Sequence, residues 1–177
     1  MSHPARTVRV VVCAQMVNAH TDGRPSSAGA RGPADSPGFL LWHATLGWQR
    51  GLVAALKPLG LTHVQFVLLA CVWWLNDAGG ASPSQRRVAD QAGTDPMMAS
   101  QVLRALEARG LVTRFTDPAD ARVRRLDVTP QGSKLAREAI RLVEAADESF
   151  FAAVPDRGAL LDTLRRLTSP SGLQARP

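Results

Sequence analysis

The spacing of apolar positions changes along this chain, and each change marks an element. Over residues 38–57, at about 100° per residue, Phe39, Trp42, His43, Leu46, Gln49, Arg50 and Val53 share one helical face. Leu41, Trp48, Leu52 and Ala55 occupy the opposite face, and Pro58 and Gly60 end the helix. A helix apolar on two sides must be covered on two sides, and in a chain of 177 residues one cover is expected to be a second subunit. Thr62 caps a second helix that runs to about Asp77 and stops at Gly79 and Gly80. It is apolar nearly all round (Val64, Phe66, Val67, Leu68, Leu69, Val72, Trp73, Trp74, Leu75), which predicts a buried central helix. Residues 84–92 form a short third helix with Val88 and Ala89 inward, closed by Gly93.

Asp95 caps a fourth helix with Pro96 at its first position, and Gly110 ends it. Ala99, Val102, Leu103 and Leu106 point one way, with Met98 and Ala105 at the margin, while Met97, Ser100, Gln101 and Arg104 point the other. Residues 111–115 and 123–128 read as short strands joined by a turn over 116–122. Thr129 and Pro130 start a long helix reaching about Ala153, with Leu135, Ala139, Leu142, Ala146 and Phe150 on one stripe. Pro155 opens a last helix carrying Leu160, Leu161, Leu164 and Leu167. The third and fourth helices, turning at Gly93 and Thr94, make a helix-turn-helix, and the hairpin after them makes a wing. The predicted class is mainly α with a small β-hairpin: a winged helix-turn-helix with a helical dimerisation region.

The ends read differently. Residues 22–37 are rich in Gly, Ser, Ala and Pro, so residues 1–37 are expected to be a disordered extension. Within it, residues 8–17 read equally as a strand-like arm or as a stretch upstream of a later start at Met16. Residues 38–168 form the winged-helix domain. Segments 38–60 and 130–168 are assigned to dimerisation and 61–129 to a DNA-binding lobe. Residues 169–177 are expected to fray.

Apolar residues make up 45% of the chain and charged residues 20%, enough for a core and too few charges for bulk disorder. A net charge of +6 favours a polyanionic partner, yet residues 81–130 hold eight Arg against six acids, a local excess of only +2. Placement must therefore carry the argument, and Arg122, Arg124 and Arg125 form a cluster within four residues. Cys13 and Cys71 have no paired spacing that suggests zinc or a disulfide framework, and no cofactor is implied. The longest apolar stretch, residues 64–75 with Gln65 as its one polar position, is too short to span a bilayer, and the N-terminal segment lacks the apolar stretch of a secretion signal. These features predict a cytoplasmic protein without a membrane association. No phosphate loop, nucleophile motif or metal spacing is found, and the four His are dispersed at 3, 20, 43 and 63, which argues against an enzyme.

An α-helix fits the major groove, so the outward side chains of the fourth helix are candidates to meet bases and phosphates. Gln101 suits adenine bidentately or a phosphate, Ser100 a phosphate oxygen, Met97 a thymine methyl, and Arg104 the backbone. Ser84, at the head of the third helix, joins this DNA-facing set. The alternative is a solvated face, which any amphipathic helix has. The arginine hairpin favours DNA, because Arg122, Arg124 and Arg125 suit a narrow minor groove of concentrated negative potential. Asp120 is placed to orient Arg122 through a charge-assisted pair, with ordinary turn chemistry as the alternative. For Asp117 and Pro118 turn chemistry is preferred.

Three motifs resemble the MarR (multiple antibiotic resistance regulator) family. DPADARVRRLDVTPQG at 117–132 is similar to the family's wing signature, with its Asp-x-Arg, following Leu and Thr-Pro-x-Gly. LTHVQFVLL at 61–69 resembles the opening of the family's second helix, and LEARGLVTR at 106–114 its junction from recognition helix to wing. The resemblance spans about residues 38–168. It implies a homodimer, built by the first and last two helices, on a roughly palindromic operator in double-stranded DNA. Arg122 would enter the minor groove, and Ser100 and Gln101 would contact DNA. Gln101 stands where the family often has Arg, and Met97 and Met98 stand where small polar residues are frequent, so base preference does not carry over.

The resemblance also implies an effector site between the dimer helices and the DNA-binding lobe, often for small aromatic or phenolic compounds. Trp42, His43, Leu46 and Arg50 on the first helix and Trp74 on the second are its candidates, since aromatic walls with a few polar groups suit such ligands. The alternative is dimer packing, with His43 and Arg50 paired across the interface. The expected function is a homodimeric repressor of nearby genes, released by a small molecule. Two rivals remain: a winged helix whose basic hairpin docks an acidic protein, and a thiol-based redox regulator using Cys13 and Cys71. For Cys71 an inert packing role is preferred.

Overall fold

A computed structural model describes residues 32–78 and 81–168. Its elements run α1 (Pro37–Leu56), α2 (His63–Asp77), α3 (Gln85–Ala92), α4 (Pro96–Ala108), β1 (Val112–Thr116), β2 (Arg124–Val128), α5 (Pro130–Phe150) and α6 (Arg157–Thr168). The order and the single antiparallel hairpin, with Val112 opposite Val128 and Thr116 opposite Arg124, bear out the predicted class.

Helix starts follow from side chains that satisfy otherwise unpaired N–H groups. Thr62 and Gln65 form a capping box: Thr62 Oγ1 accepts from the Gln65 N–H at 3.2 Å, and Gln65 Oε1 accepts from the Thr62 N–H at 3.0 Å. Ser36, Ser84, Asp95 and Thr129 cap α1, α3, α4 and α5 more simply, each side chain accepting a first-turn N–H. Gly93 closes α3 at φ 61°, a left-handed conformation that disfavours other residues.

The core gathers around α2. Its Leu68, Leu69, Val72 and Leu75 meet Leu52 and Leu56 of α1, Val88 of α3, Leu103 and Leu106 of α4, Leu126 of β2 and Ala139 of α5. The predicted all-round burial of α2 is corrected: Trp74 is 56% exposed, and Val64, Phe66, Cys71 and Trp73 are half-buried. One side of α2 builds the lobe and the other lines clefts. On α5 the buried stripe is Gly132, Ala136, Ala139 and Val143, rotated from the expected one. Small residues take this face because the backbones approach closely there. Of the expected stripe, Leu135, Leu142 and Ala146 are half-buried and Phe150 is exposed. No residue of α6 is buried.

Boundaries also move. A 3-10 turn at Pro33–Asp35 precedes α1, which starts at Pro37, one residue before the expected domain start at 38. The first helix passes into a 3-10 turn, Lys57–Leu59, before Gly60. The expectations for residues 1–31, with Cys13, for Gly79 and Gly80, and for residues 169–177 lie outside the described residues. Among the described residues no single helix is long and apolar enough to cross a membrane.

The Thr-Pro-x-Gly motif has a structural reason. Thr129 Oγ1 donates to the Gly110 carbonyl at 2.7 Å and accepts from the Gly132 N–H at 3.0 Å, while the Thr129 N–H donates to the Leu111 carbonyl at 3.1 Å. A Cβ on Gly132 would lie 1.9 Å from the Leu111 oxygen, so only glycine lets α5 press against the start of the wing. Gly132→Ala should therefore cost at least about 2 kcal/mol through overpacking. Urea unfolding checks this, and a midpoint unchanged from wild type would contradict it.

Candidate nucleic-acid interface

The outer face of α4 is arranged as its periodicity predicts. Ala99, Leu103 and Leu106 are buried, whereas Met97, Gln101 and Arg104 are exposed and Ser100 is half-buried. Arg104 folds back along the helix: its Nη2 donates to Ser100 Oγ at 3.2 Å and its Nε to the Ser100 carbonyl at 3.4 Å. Ser100 and Arg104 thus form one polar unit beside Gln101. Ser84 caps α3, its Oγ accepting from the Arg87 N–H at 3.2 Å, and it also bridges to Arg125 of β2. Its hydroxyl oxygen has an internal role before any external one.

The wing sorts its three arginines into different tasks. Arg122 is exposed, and among the described residues its guanidinium has no protein partner. Arg124 is exposed and its Nη1 donates to Thr116 Oγ1 across the hairpin. Arg125 is half-buried, with its Nε donating to Asp117 and its Nη1 to the Ser82 carbonyl at 2.6 Å. Unlike Arg122, it therefore spends donors on the protein itself, clamping the wing turn to the loop between α2 and α3. Asp120 Oδ1 accepts the backbone N–H of Arg122 at 2.9 Å, the turn chemistry that the sequence left open beside a side-chain pair.

Asp117 does more than the turn chemistry assigned to it. Its Oδ1 accepts from the Ala119 N–H at 2.8 Å, and its other oxygen takes Arg125. Together these bonds, the backbone one first, hold its carboxyl below the usual carboxylate range.

Other anchors were missed because nothing in their spacing announces them. Asn76, near the end of α2, accepts the Val128 N–H at 2.8 Å and donates to the Leu126 carbonyl at 3.3 Å. Arg114 on β1 donates to Gln85 Oε1 at 3.1 Å and lies 3.5 Å from Glu107, joining the hairpin to α3 and α4. Trp48 donates its indole N–H to Asp147 at 2.7 Å and meets His63 edge-on, at 5.4 Å between ring centroids. Burial lowers the pKa of His63, and the nearby Asp147 carboxylate opposes that shift.

The structure does not gather the effector candidates into one cavity within a chain. Trp42 is 60% exposed and His43 stacks on Phe39 at 4.3 Å, while Leu46 is half-buried and Arg50 exposed further along α1. Trp74 instead lines a cleft of about 280 Å³ with Ala70, Cys71, Trp73, Gln91 and Ile140. A neighbouring cavity of about 490 Å³ shares Trp73 and Ile140 and adds Lys134, Arg137, Glu138 and Arg141. Cys71 is half-buried, and burial pushes its thiol pKa up, which disfavours the thiolate. Among the described residues no group of three or more His, Cys, Asp or Glu is disposed to hold a metal ion.

A depressed carboxyl pKa stabilises the fold above the unfolded value, about 3.9, and that contribution disappears as pH falls through the folded value. Asp117→Asn should therefore be less stable than wild type at pH 7, and the gap should close as pH drops below about 4. Urea unfolding of both proteins along that pH range tests the clamp, and a gap independent of pH would refute it.

Comparison with known proteins agrees with this geometry. The MarR family profile matches residues 61–123, the lobe from the start of α2 through the wing turn. The HTH-type transcriptional regulator YdcH of Bacillus subtilis (strain 168) is 42% identical over 137 residues, covering 77% of this chain and 92% of that protein. The crystal structure of CouR from Rhodococcus jostii RHA1 bound to p-coumaroyl-CoA superposes with a TM-score of 0.69 at 30% identity, covering 80% of this chain and 97% of that one. BpsR of Bordetella bronchiseptica, whose DNA binding is regulated by 6-hydroxynicotinic acid, gives 0.71 at 26% identity, covering 80% and 99%. A helix-turn-helix with a clamped basic wing, in a chain this close to YdcH and CouR, belongs to the MarR family of DNA-binding transcriptional regulators.

Proposed function

We propose that the protein is a cytoplasmic homodimeric repressor that binds a roughly palindromic operator and is released by a small aromatic effector. The observation that carries this reading is the division of labour on the DNA-facing side. Arg125 and Asp120 hold the wing, leaving the Arg122 guanidinium at its tip without a partner among the described residues, while α4 offers Gln101 and the Ser100–Arg104 unit. Ser84, Met97 and Arg124 complete the contact set. CouR, itself a transcriptional repressor, is also known bound to a 23-mer DNA duplex, which supports the same use here.

Dimerisation is supported by apolar surface that one chain leaves open. Phe39, Leu40, Leu41 and Trp42 on α1, Phe150 on α5, and Leu161 and Leu167 on α6 are all exposed. Such surface at both ends of the chain suits an interface with a second copy. On this reading Trp42, His43, Leu46 and Arg50 belong to or border that interface.

The effector reading moves to the two neighbouring cavities around Trp73 and Ile140. Trp73 and Trp74 supply aromatic wall, and Lys134, Arg137 and Arg141 supply positive charge for an aromatic anion. The ligands of CouR and BpsR, an aromatic acyl-CoA and a hydroxylated pyridine acid, support that chemistry. Asn76 lies two residues beyond Trp74 on α2, so the wall of the cleft and the anchor of the wing share one helical turn.

Binding to a duplex from the protein's own upstream region should fall steeply with salt, because neutralised phosphates release counterions. Arg122→Ala should weaken that binding by about 1–3 kcal/mol, most at A·T-rich flanks, and lower the salt slope by about one per protomer. Fluorescence anisotropy across a salt series measures both. Unchanged affinity in a folded variant would remove the wing from the mechanism, and a monomer in sedimentation would remove the palindromic operator.

A further inference from the structure

We infer that Met97, in the first turn of α4, reads the 5-methyl group of thymine and is a specificity-determining residue of the operator contact. The inference rests on the DNA-binding reading above and adds what that reading leaves open, namely the base chemistry recognised.

Met97 is 73% exposed, more than any other large apolar side chain among the described residues. Its neighbours along the outer face of α4 are Ser100, Gln101 and Arg104, so no apolar cluster in its own chain explains it. The exposed thioether gains nothing where it stands and gains free energy only when a partner removes it from water.

The first turn also has no spare hydrogen-bond donor. Pro96 has no N–H, and the N–H groups of Met97 and Met98 both donate to Asp95 Oδ1, at 2.9 and 3.0 Å. The Ala99 N–H donates to the Asp95 carbonyl at 2.9 Å. A helix start is ordinarily a seat for phosphate, but here the Asp95 carboxylate fills it and would repel a phosphate. This turn therefore presents DNA with an apolar surface whose backbone donors are already spent.

The major groove has one apolar feature to match it. Guanine, cytosine and adenine edges present donors and acceptors, and thymine adds a C5-methyl group. A flexible, polarisable methionine side chain can follow that methyl. Cytosine methylated at C5 presents the same group, so a test must separate the two sources. Met98, 47% exposed at the margin of the face, flanks the contact.

Randomised duplexes of about 24 base pairs, long enough for two half-sites, are selected with the full-length dimer, and the tightest is resynthesised with thymine, uracil, cytosine or 5-methylcytosine at each enriched position. Uracil differs from thymine only by the methyl. At one symmetric position per half-site, uracil should weaken wild-type binding about fourfold per methyl removed, the worth of one buried methyl group. Met97→Ala should lose that discrimination and Met97→Leu should keep it, while both retain the salt dependence set by phosphate contacts. A gain from 5-methylcytosine over cytosine at the same position would support the contact; a gain at a different position would overturn the assignment. Equal binding of thymine and uracil duplexes at every position, or discrimination that survives Met97→Ala, overturns the inference and leaves the DNA-binding reading intact. If selection enriches no duplex at all, the DNA-binding reading falls, and this inference falls with it.

Discussion

A two-stranded hairpin does not hold its shape alone in water, so the DNA-facing surface depends on how β2 is gripped. One edge of β2 pairs with β1. Elsewhere along it, Asn76 receives the Val128 N–H and donates to the Leu126 carbonyl, and the Leu126 N–H donates to the Pro83 carbonyl at 3.0 Å. Leu126 itself is fully buried among the lobe's leucines. Backbone groups buried without partners would cost more than these bonds return singly, so the grip is cooperative. Thr129 and Gly132 close the hairpin's base against α5, and Asp117 and Arg125 stiffen its turn. Only with these in place does Arg122 at the tip, without a guanidinium partner among the described residues, have a defined address.

The remainder of the chain has the opposite character. Where the lobe closes around a buried core, α1 and α6 leave runs of apolar surface open. The close approach of α1 to α5, with Gly47 at the Phe150 ring, fixes the two as one layer. Trp48 crosses that layer to Asp147 and braces the start of α2 through His63. The lobe thus hangs from the helical layer by α2 and α5 together.

Most of this architecture was legible in the sequence because it rests on local signals. Caps at Thr62, Ser84, Asp95 and Thr129, glycine stops at Gly93 and Gly110, and the 3.6-residue period of α4 each act within a few positions. What was not legible depends on partners distant in sequence. Nothing near Asn76 announces that β2 will lie beside it, 50 residues on. Arg125 looked like its neighbours Arg122 and Arg124, yet alternation along the strand turns it toward Ser82. On α5 the period of large apolar residues points to Leu135 and Leu142, which are only half covered, whereas the alanines and Gly132 make the tight contact because they let the backbones approach. The effector candidates are not gathered within one chain, because helical phase shows which residues share a face, not which face meets another helix.

These long-range links also constrain how a ligand in the cleft can act on DNA. A ligand shifts a conformational equilibrium only by its difference in affinity for the two states. Trp73 and Trp74 wall the cleft, and Asn76 grips β2 within the same turn of α2. A ligand wedged between α2 and α5 therefore need not deform the wing directly. On the proposed effector reading it would have only to favour one angle of α2 against α5, because Asn76 and the Thr129–Gly132 clasp join those two helices to the hairpin from both sides. The contacts that hold the wing would then also couple it to the cleft, since a rigid element transmits a small rotation that a floppy one would absorb.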